Sequence, residues 1–168
     1  MARFKGKGLS PEEKEQRKEV LLQQVEDVIN NFETSPETIL DYLKFSSRFH
    51  QYSENNTILI YEHNSMARFC ASYKALQDMG YQVQKGEIGM KIFVPYISTM
   101  WFDEASQQWN RLADASKEIK ERISAGEIQT KQHTTFGIGT VFEIGQTNCP
   151  PEDYPKVCDM GFSSESHA

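Results

Sequence analysis

The sequence is short of several things, and each shortage closes a class of explanation. No stretch approaches the roughly 18 apolar residues that a membrane-spanning helix needs. Cysteine is scarce, with Cys70, Cys149 and Cys158 in 168 residues and no C-x-x-C pair. An odd number of scattered thiols argues for reduced cysteines and against a disulfide framework. The four histidines, His50, His63, His133 and His167, fall in no metal-ligand spacing such as H-E-x-x-H. No metal and no other cofactor is therefore expected. A phosphate-cradling G-x-x-x-x-G-K-S/T loop is missing, and no nucleophile stands beside a base in a pattern that compels a catalytic reading. The basic stretch Met1–Gly8 gives way to Pro11-Glu12-Glu13-Lys14 instead of an apolar run. That predicts no secretory leader and a soluble, cytoplasmic protein.

Positive charge is also in short supply. Lys and Arg number 18 against 24 Asp and Glu, a formal net charge of −6. A protein of that sign repels a polyphosphate at long range. The distribution is uneven, however. Acidic residues concentrate in 12–41, 103–127 and the tail, whereas between Tyr42 and Lys91 the balance reverses. There Lys44, Arg48, Arg68, Lys74, Lys85 and Lys91 face only Glu54, Glu62, Asp78 and Glu87. A local basic face on an acidic chain is compatible with this pattern.

What is present suffices for one ordinary domain with a core, at 38% hydrophobic and 25% charged residues. Residues 1–9 read as a flexible basic terminus, 10–148 as the folded domain, and 149–168, with Pro150, Pro151 and Pro155, as an extended or disordered tail. Ser10-Pro11-Glu12-Glu13 is a capping box with proline in the first turn. Leu21, Val25, Val28, Ile29 and Phe32 follow at helical spacing to about residue 33. Ser35-Pro36 starts a second helix, with Ile39, Leu43 and Phe49 as its buried side. Ser53 can cap a third through Tyr61, and Ser72 a fourth that Gly80 ends.

The period then changes. Tyr81–Gln84 and Met90–Val94 read as strands about a glycine turn, Lys85–Gly89. Met100–Phe102 and Trp109–Leu112 suggest a hairpin across 103–108. Residues 113–125 suggest a surface helix before Gly126, and Thr135–Ile144 a last strand. The class is α+β, with N-terminal helices packed on a small antiparallel sheet.

Aromatic residues interleaved with polar and basic ones dominate the middle of the chain. Single-strand binders use that mixture, rings stacking on bases while cations follow the backbone. Phenylalanines such as Phe49 and Phe69 read as core, and Tyr52 and Tyr73, with a polar edge, as better candidates for a wet groove. Ser53, Asn55 and Asn56 stand where a helix begins, which suits a phosphate and equally suits simple capping. Lys85 and Lys91 flank the glycine turn, where a solvated hairpin is the plain alternative.

Three blocks carry a further signal. The first is Phe49-His50-Gln51-Tyr52-Ser53-Glu54-Asn55-Asn56-Thr57-Ile58-Leu59-Ile60. The second runs from Ala67 through Pro95 with Tyr73-Lys74, Gly80 and Val83–Gly89. The third is Phe136 with Val141-Phe142-Glu143-Ile144-Gly145-Gln146-Thr147. In order and spacing they resemble the N-terminal domain of ArdC-type antirestriction proteins, which also occurs in LtrC-like proteins and conjugative primases of the plasmid TraC type. Leu76 stands where that family usually has tryptophan and Glu143 where it has aspartate, and residues 98–133 match little.

The resemblance implies a non-catalytic, single-stranded DNA-binding module of plasmids, conjugative transposons or phages, whose larger relatives continue into a metallopeptidase-like or other enzymatic domain. On that expectation Arg48, Arg68, Lys74, Lys85 and Lys91 meet phosphates, Tyr52 and Tyr73 stack on bases, and Ser53, Asn55 and Asn56 hydrogen-bond. A restriction or conjugation protein is a further expected partner, and a membrane is not. An acidic antirestriction inhibitor that binds a nuclease instead of DNA is the rival that the net charge favours. An accessory domain that only scaffolds a larger protein is the third.

Overall fold

The computed structural model describes residues 10–154, so the expectations for the basic terminus and for the end of the tail lie outside the described residues. The element order is α1 (Pro11–Thr34), α2 (Pro36–Ser46), α3 (Glu54–His63), β1 (Cys70–Ser72), α4 (Tyr73–Asp78), β2 (Met90–Asp103), β3 (Gln108–Arg111), α5 (Lys117–Ser124) and β4 (Thr130–Glu143). The sheet order is β1-β4-β2-β3, which gives the expected α+β class. Among the described residues no helix is long and apolar enough to cross a membrane. The chain divides into two compact units: one holds the residues up to Phe93 and again from Ile138, the other is Val94–Gly137.

In the first unit α1 begins on the capping box read from sequence. The Glu13 N–H donates to Ser10 Oγ at 3.1 Å and the Ser10 N–H to Glu13 Oε2 at 2.6 Å. Leu21, Val25 and Val28 form its buried stripe against Tyr42, Ile58 and Leu59. Each such side chain taken from water contributes about 1.5–3 kcal/mol. Ile29, one position round the helix from Val28, is exposed instead of joining them.

The buried side of α2 also differs from the expected one. Tyr42 and Phe45 face inward while Leu43 is exposed. An aromatic cluster decides the phase: Phe45 stacks on Phe49 at 4.5 Å, and Tyr42 lies 5.0 Å from Phe32 and 5.4 Å from Tyr61. Rings at these separations add to their area burial, so they outcompete Leu43 for the interior. Ser35 is the residue between the two helices. Its N–H closes α1 on the Asn31 carbonyl, and its side chain makes no capping hydrogen bond to α2.

The strands were only partly foreseen. β1 is three residues long and pairs with the end of β4, with Cys70 opposite Glu143 and Ser72 opposite Val141. Tyr81–Gln84 is not a strand but holds one bridge, Val83 to Thr147, with the Gln84 N–H on the Gln146 carbonyl and the Asn148 N–H on the Gln82 carbonyl, each 2.9 Å. Under it lies a second core of Phe69, Leu76, Ile144 and Cys149. β2 runs through Pro95, well past the expected end at Val94. The pairing with β3 begins only at Met100, so one flank of β2 is unladdered there and can accommodate a residue without an N–H.

The second unit contains the expected hairpin and helix. Asp103 turns the chain by accepting from the Ala105 N–H at 3.1 Å and from Ser106 Oγ at 2.6 Å. Those bonds hold its carboxyl below the ordinary range. Phe102 and Trp109 face each other across the strands, 5.2 Å between rings. Ser116 caps α5, and Gly126, at φ +79°, lets the chain leave it.

Candidate nucleic-acid interface

The first sequence block is largely a structural joint. Tyr52 reaches from the α2–α3 link to β1, its hydroxyl donating to the Cys70 carbonyl at 2.7 Å. Burial, and secondarily the nearby Cys70 thiol, push its pKa well above the ordinary phenol value. Ser53 caps α3, accepting from the Asn56 N–H at 3.4 Å. Asn56 is buried and acts as a substitute strand residue: its Nδ2 donates to the Phe93 carbonyl and its Oδ1 accepts from the Phe93 N–H, both at 2.8 Å. Two of the expected DNA contacts, Tyr52 and Asn56, thus have their polar groups engaged within the fold, because a buried polar atom left unpaired is costly. Asn55 remains exposed on the first turn of α3.

The third block is a clasp. The buried Glu143 carboxylate accepts the Arg68 N–H at 3.3 Å and the Gly145 N–H at 2.6 Å. Gln146 accepts the Glu143 N–H and donates to Glu87 Oε2 at 2.8 Å and to the Ile88 carbonyl at 3.0 Å. The glycine turn is therefore tied to the end of β4, and Gly86, at φ +95°, supplies its left-handed corner.

Beside that turn, one surface gathers several expected ligand residues. Along β4, Val141 and Glu143 are buried, whereas Thr140 and Phe142, on the opposite face, are partly exposed, with Phe142 also packed against the second core. Tyr73, half exposed at the start of α4, meets the Phe142 ring edge-on at 6.3 Å. Lys91, on β2, donates from Nζ to Thr140 Oγ1 at 2.7 Å. Gly89 completes the patch. A side chain there would run into the Thr140 methyl and lie 2.8 Å from the Phe142 ring, so close approach and not a special φ explains this glycine. Phe142, Thr140 and Gly89 lie within the motifs and strand read from sequence but were not named there as DNA contacts. The alternation from Ile138 to Glu143 is the signal that would have found the first two.

The remaining expected cations are placed as follows. Lys74 follows Tyr73 on α4 and Lys85 lies in the turn before Gly86, both exposed. The Arg48 guanidinium lies 5.4 Å over the Phe45 ring and that of Arg68 4.8 Å over the Tyr154 ring. Among the described residues none of the five is ion-paired, whereas Lys18, Lys44, Lys117 and Arg122 each have an acidic partner. Arg48, Arg68, Lys74, Lys85 and Lys91 are thus chemically available to an external anion. No group of three or more His, Cys, Asp or Glu among the described residues is arranged to hold a metal ion.

Residues 12–142 match the family model described as the N-terminal domain of anti-restriction factor ArdC. An uncharacterized Bacillus anthracis protein, pXO2-81, is 35% identical over 145 residues, covering 86% of this chain and 24% of that protein. A crystal structure of the antirestriction ArdC protein from plasmid R388, metal-free, overlaps 61% of this chain and 31% of its own at 20% identity, with a TM-score of 0.38, too small to carry an argument about fold. The chain spans less than a third of the length of either relative. With the family model covering most of the sequence, the chain belongs to the family of the N-terminal domain of the anti-restriction factor ArdC.

Proposed function

We propose that this domain binds single-stranded DNA with little sequence preference, and that it does so without catalysing a reaction. The observation that carries the reading is the Tyr73–Phe142 ring pair set beside Lys91. Unpaired bases have open faces that stack on exposed rings, at about 1–3 kcal/mol per base, and any base can use them. Lys91, Lys74 and Lys85 supply charge for the backbone, and Gly89 keeps the patch low enough for a base to reach Phe142. Tyr52 and Asn56 hold the fold together in this reading instead of meeting DNA, and Ser53 acts as a cap. Arg48 and Arg68 are peripheral phosphate contacts in this reading, and Asn55 a hydrogen-bonding one.

The test is fluorescence anisotropy with labelled single- and double-stranded oligonucleotides at two salt concentrations. Tighter, salt-sensitive binding to single strands is expected. Equal affinity for both forms, or no binding at low salt, would overturn the proposal.

A second reading, binding to a restriction nuclease through acidic surface, is favoured by one observation. The part of α1 from Glu19 to Glu33 carries Glu19, Glu26, Asp27 and Glu33, all exposed, and no basic residue. Capture of a restriction enzyme that excess oligonucleotide does not compete away would support it in place of the first.

A further inference from the structure

The second unit contains a groove of about 710 Å³ that lies within Val94–Gly137. Its charged and large lining side chains include Tyr96, Ile97, Met100, Arg111, Lys120 and His133, and among the described residues no Asp or Glu lines it. All five residues from Tyr96 to Met100 take part. Successive side chains of a strand point to opposite faces, so a groove reached by five in a row runs along the strand's edge as well as over one face.

The topology explains the opening. β3 pairs with β2 only between Met100–Arg111 and Asp103–Gln108. At Leu112 the chain turns away in a 3-10 turn, Leu112–Asp114. From Met100 back to Pro95, β2 continues without a β3 neighbour, while its other side stays against β4: Ser98 Oγ donates to the His133 carbonyl at 3.3 Å and Thr135 Oγ1 to the Tyr96 carbonyl at 3.4 Å. The groove's lining runs from His133 and Thr135 on β4 across Tyr96–Met100 to Arg111, Leu112, Ala113 and Lys120, and so takes in the lane that β3 vacates. Pro95, which has no N–H, bounds it at one end and the Met100–Arg111 pair at the other. An exposed strand edge is a template for another strand, and adding an extended peptide to such an edge is a common mode of recognition.

The walls select the kind of peptide. Among the described residues Arg111 has no ion pair, and Lys120 has only the Ala113 carbonyl, 3.5 Å from its Nζ. Ile97 is 69% and Tyr96 54% exposed, giving apolar surface between the cations. We propose that this groove binds an extended acidic segment of a partner protein as an additional β-strand on Tyr96–Thr99, with carboxylates toward Arg111, Lys120 and His133 and apolar side chains on Ile97 and Tyr96. The site is independent of the single-strand patch at Tyr73 and Phe142. Nucleic acid would satisfy the cations but has no backbone ladder to offer the strand edge.

The probe is a synthetic peptide of alternating Glu and Val, titrated into the isotopically labelled 168-residue chain with amide shifts read by NMR. Its controls are the Lys-for-Glu peptide and the Glu-Val peptide N-methylated at alternate residues. The amides of Tyr96–Thr99 are expected to shift with the acidic peptide alone, N-methylation to abolish the effect, and the Arg111→Glu, Lys120→Glu double variant to weaken binding at least 10-fold with an otherwise unchanged spectrum. The proposal fails if those amides do not move, if the N-methylated peptide binds equally, or if a single-stranded oligonucleotide shifts them and the peptide does not. A double variant whose spectrum shows unfolding is replaced by Arg111→Gln, Lys120→Gln, from which the same weakening is expected.

Discussion

At the scale of single residues, the side chains most visible in the motifs hold the domain together. Asn56→Ala removes both bonds to the Phe93 backbone and leaves an N–H and a carbonyl unmatched. A loss of about 2–4 kcal/mol in urea unfolding is expected, with single-strand affinity retained by the molecules that remain folded. Tyr52 and Cys70 give a pH signature. Burial raises both pKa values, each reinforced by a nearby acidic group. A raised folded-state pKa contributes stability in full below the unfolded value and loses it as the pH rises. The urea midpoint should therefore fall above about pH 9–10, where free thiols and phenols ionise. Tyr52→Phe should shrink that fall while costing about 1 kcal/mol at neutral pH. A midpoint equally pH-sensitive in the variant would remove Tyr52 from the account. From sequence Tyr52 read as a ligand because exposure is not written in a residue's type. Its true partner, the Cys70 carbonyl, is 18 positions away on a strand too short to show a period.

At the scale of elements, β4 explains both what was legible and what was not. The serine caps of α1, α3 and α4 could be read directly because a cap acts across three residues. β1 could not, since its three residues exist as a strand only because β4 lies beside them. The same dependence hid the patch. Tyr73 and Lys91 were both expected at the site, but the β4 residues they meet, Phe142 and Thr140 respectively, lie some 50–70 positions away.

Two substitutions probe the arrangement. Tyr73→Ala should weaken single-strand binding by about 1–3 kcal/mol, read by anisotropy, with little change in stability because the ring is half exposed. Gly89→Ala should cost about 1–3 kcal/mol of stability through overpacking and also reduce affinity. Full affinity in a folded Gly89→Ala protein would show that a raised patch is tolerated, and would place the bases elsewhere.

At the scale of the whole molecule, net charge and charge placement point in different directions. A formal charge of −6 argues against a polyanion as partner, yet among the described residues the lysines and arginines between residues 42 and 91, Lys44 apart, have no carboxylate partner. Replacing Lys85 and Lys91 together by alanine should lower affinity and reduce the slope of log K against log salt by about 1.4, at roughly 0.7 per phosphate contact on a single strand. An unchanged slope would mean that neither lysine meets DNA.

The long reach of β4 also bears on the order in which the chain can fold. Cys70 waits for Glu143, and Gln82 for Asn148, so the second core has no sheet to close it until 40–45 residues beyond the end of β2 at Asp103 have left the ribosome. At roughly 5–20 residues per second that is a delay of several seconds. During it Leu76 on α4 and Phe69, just before β1, remain open to water and to other nascent chains.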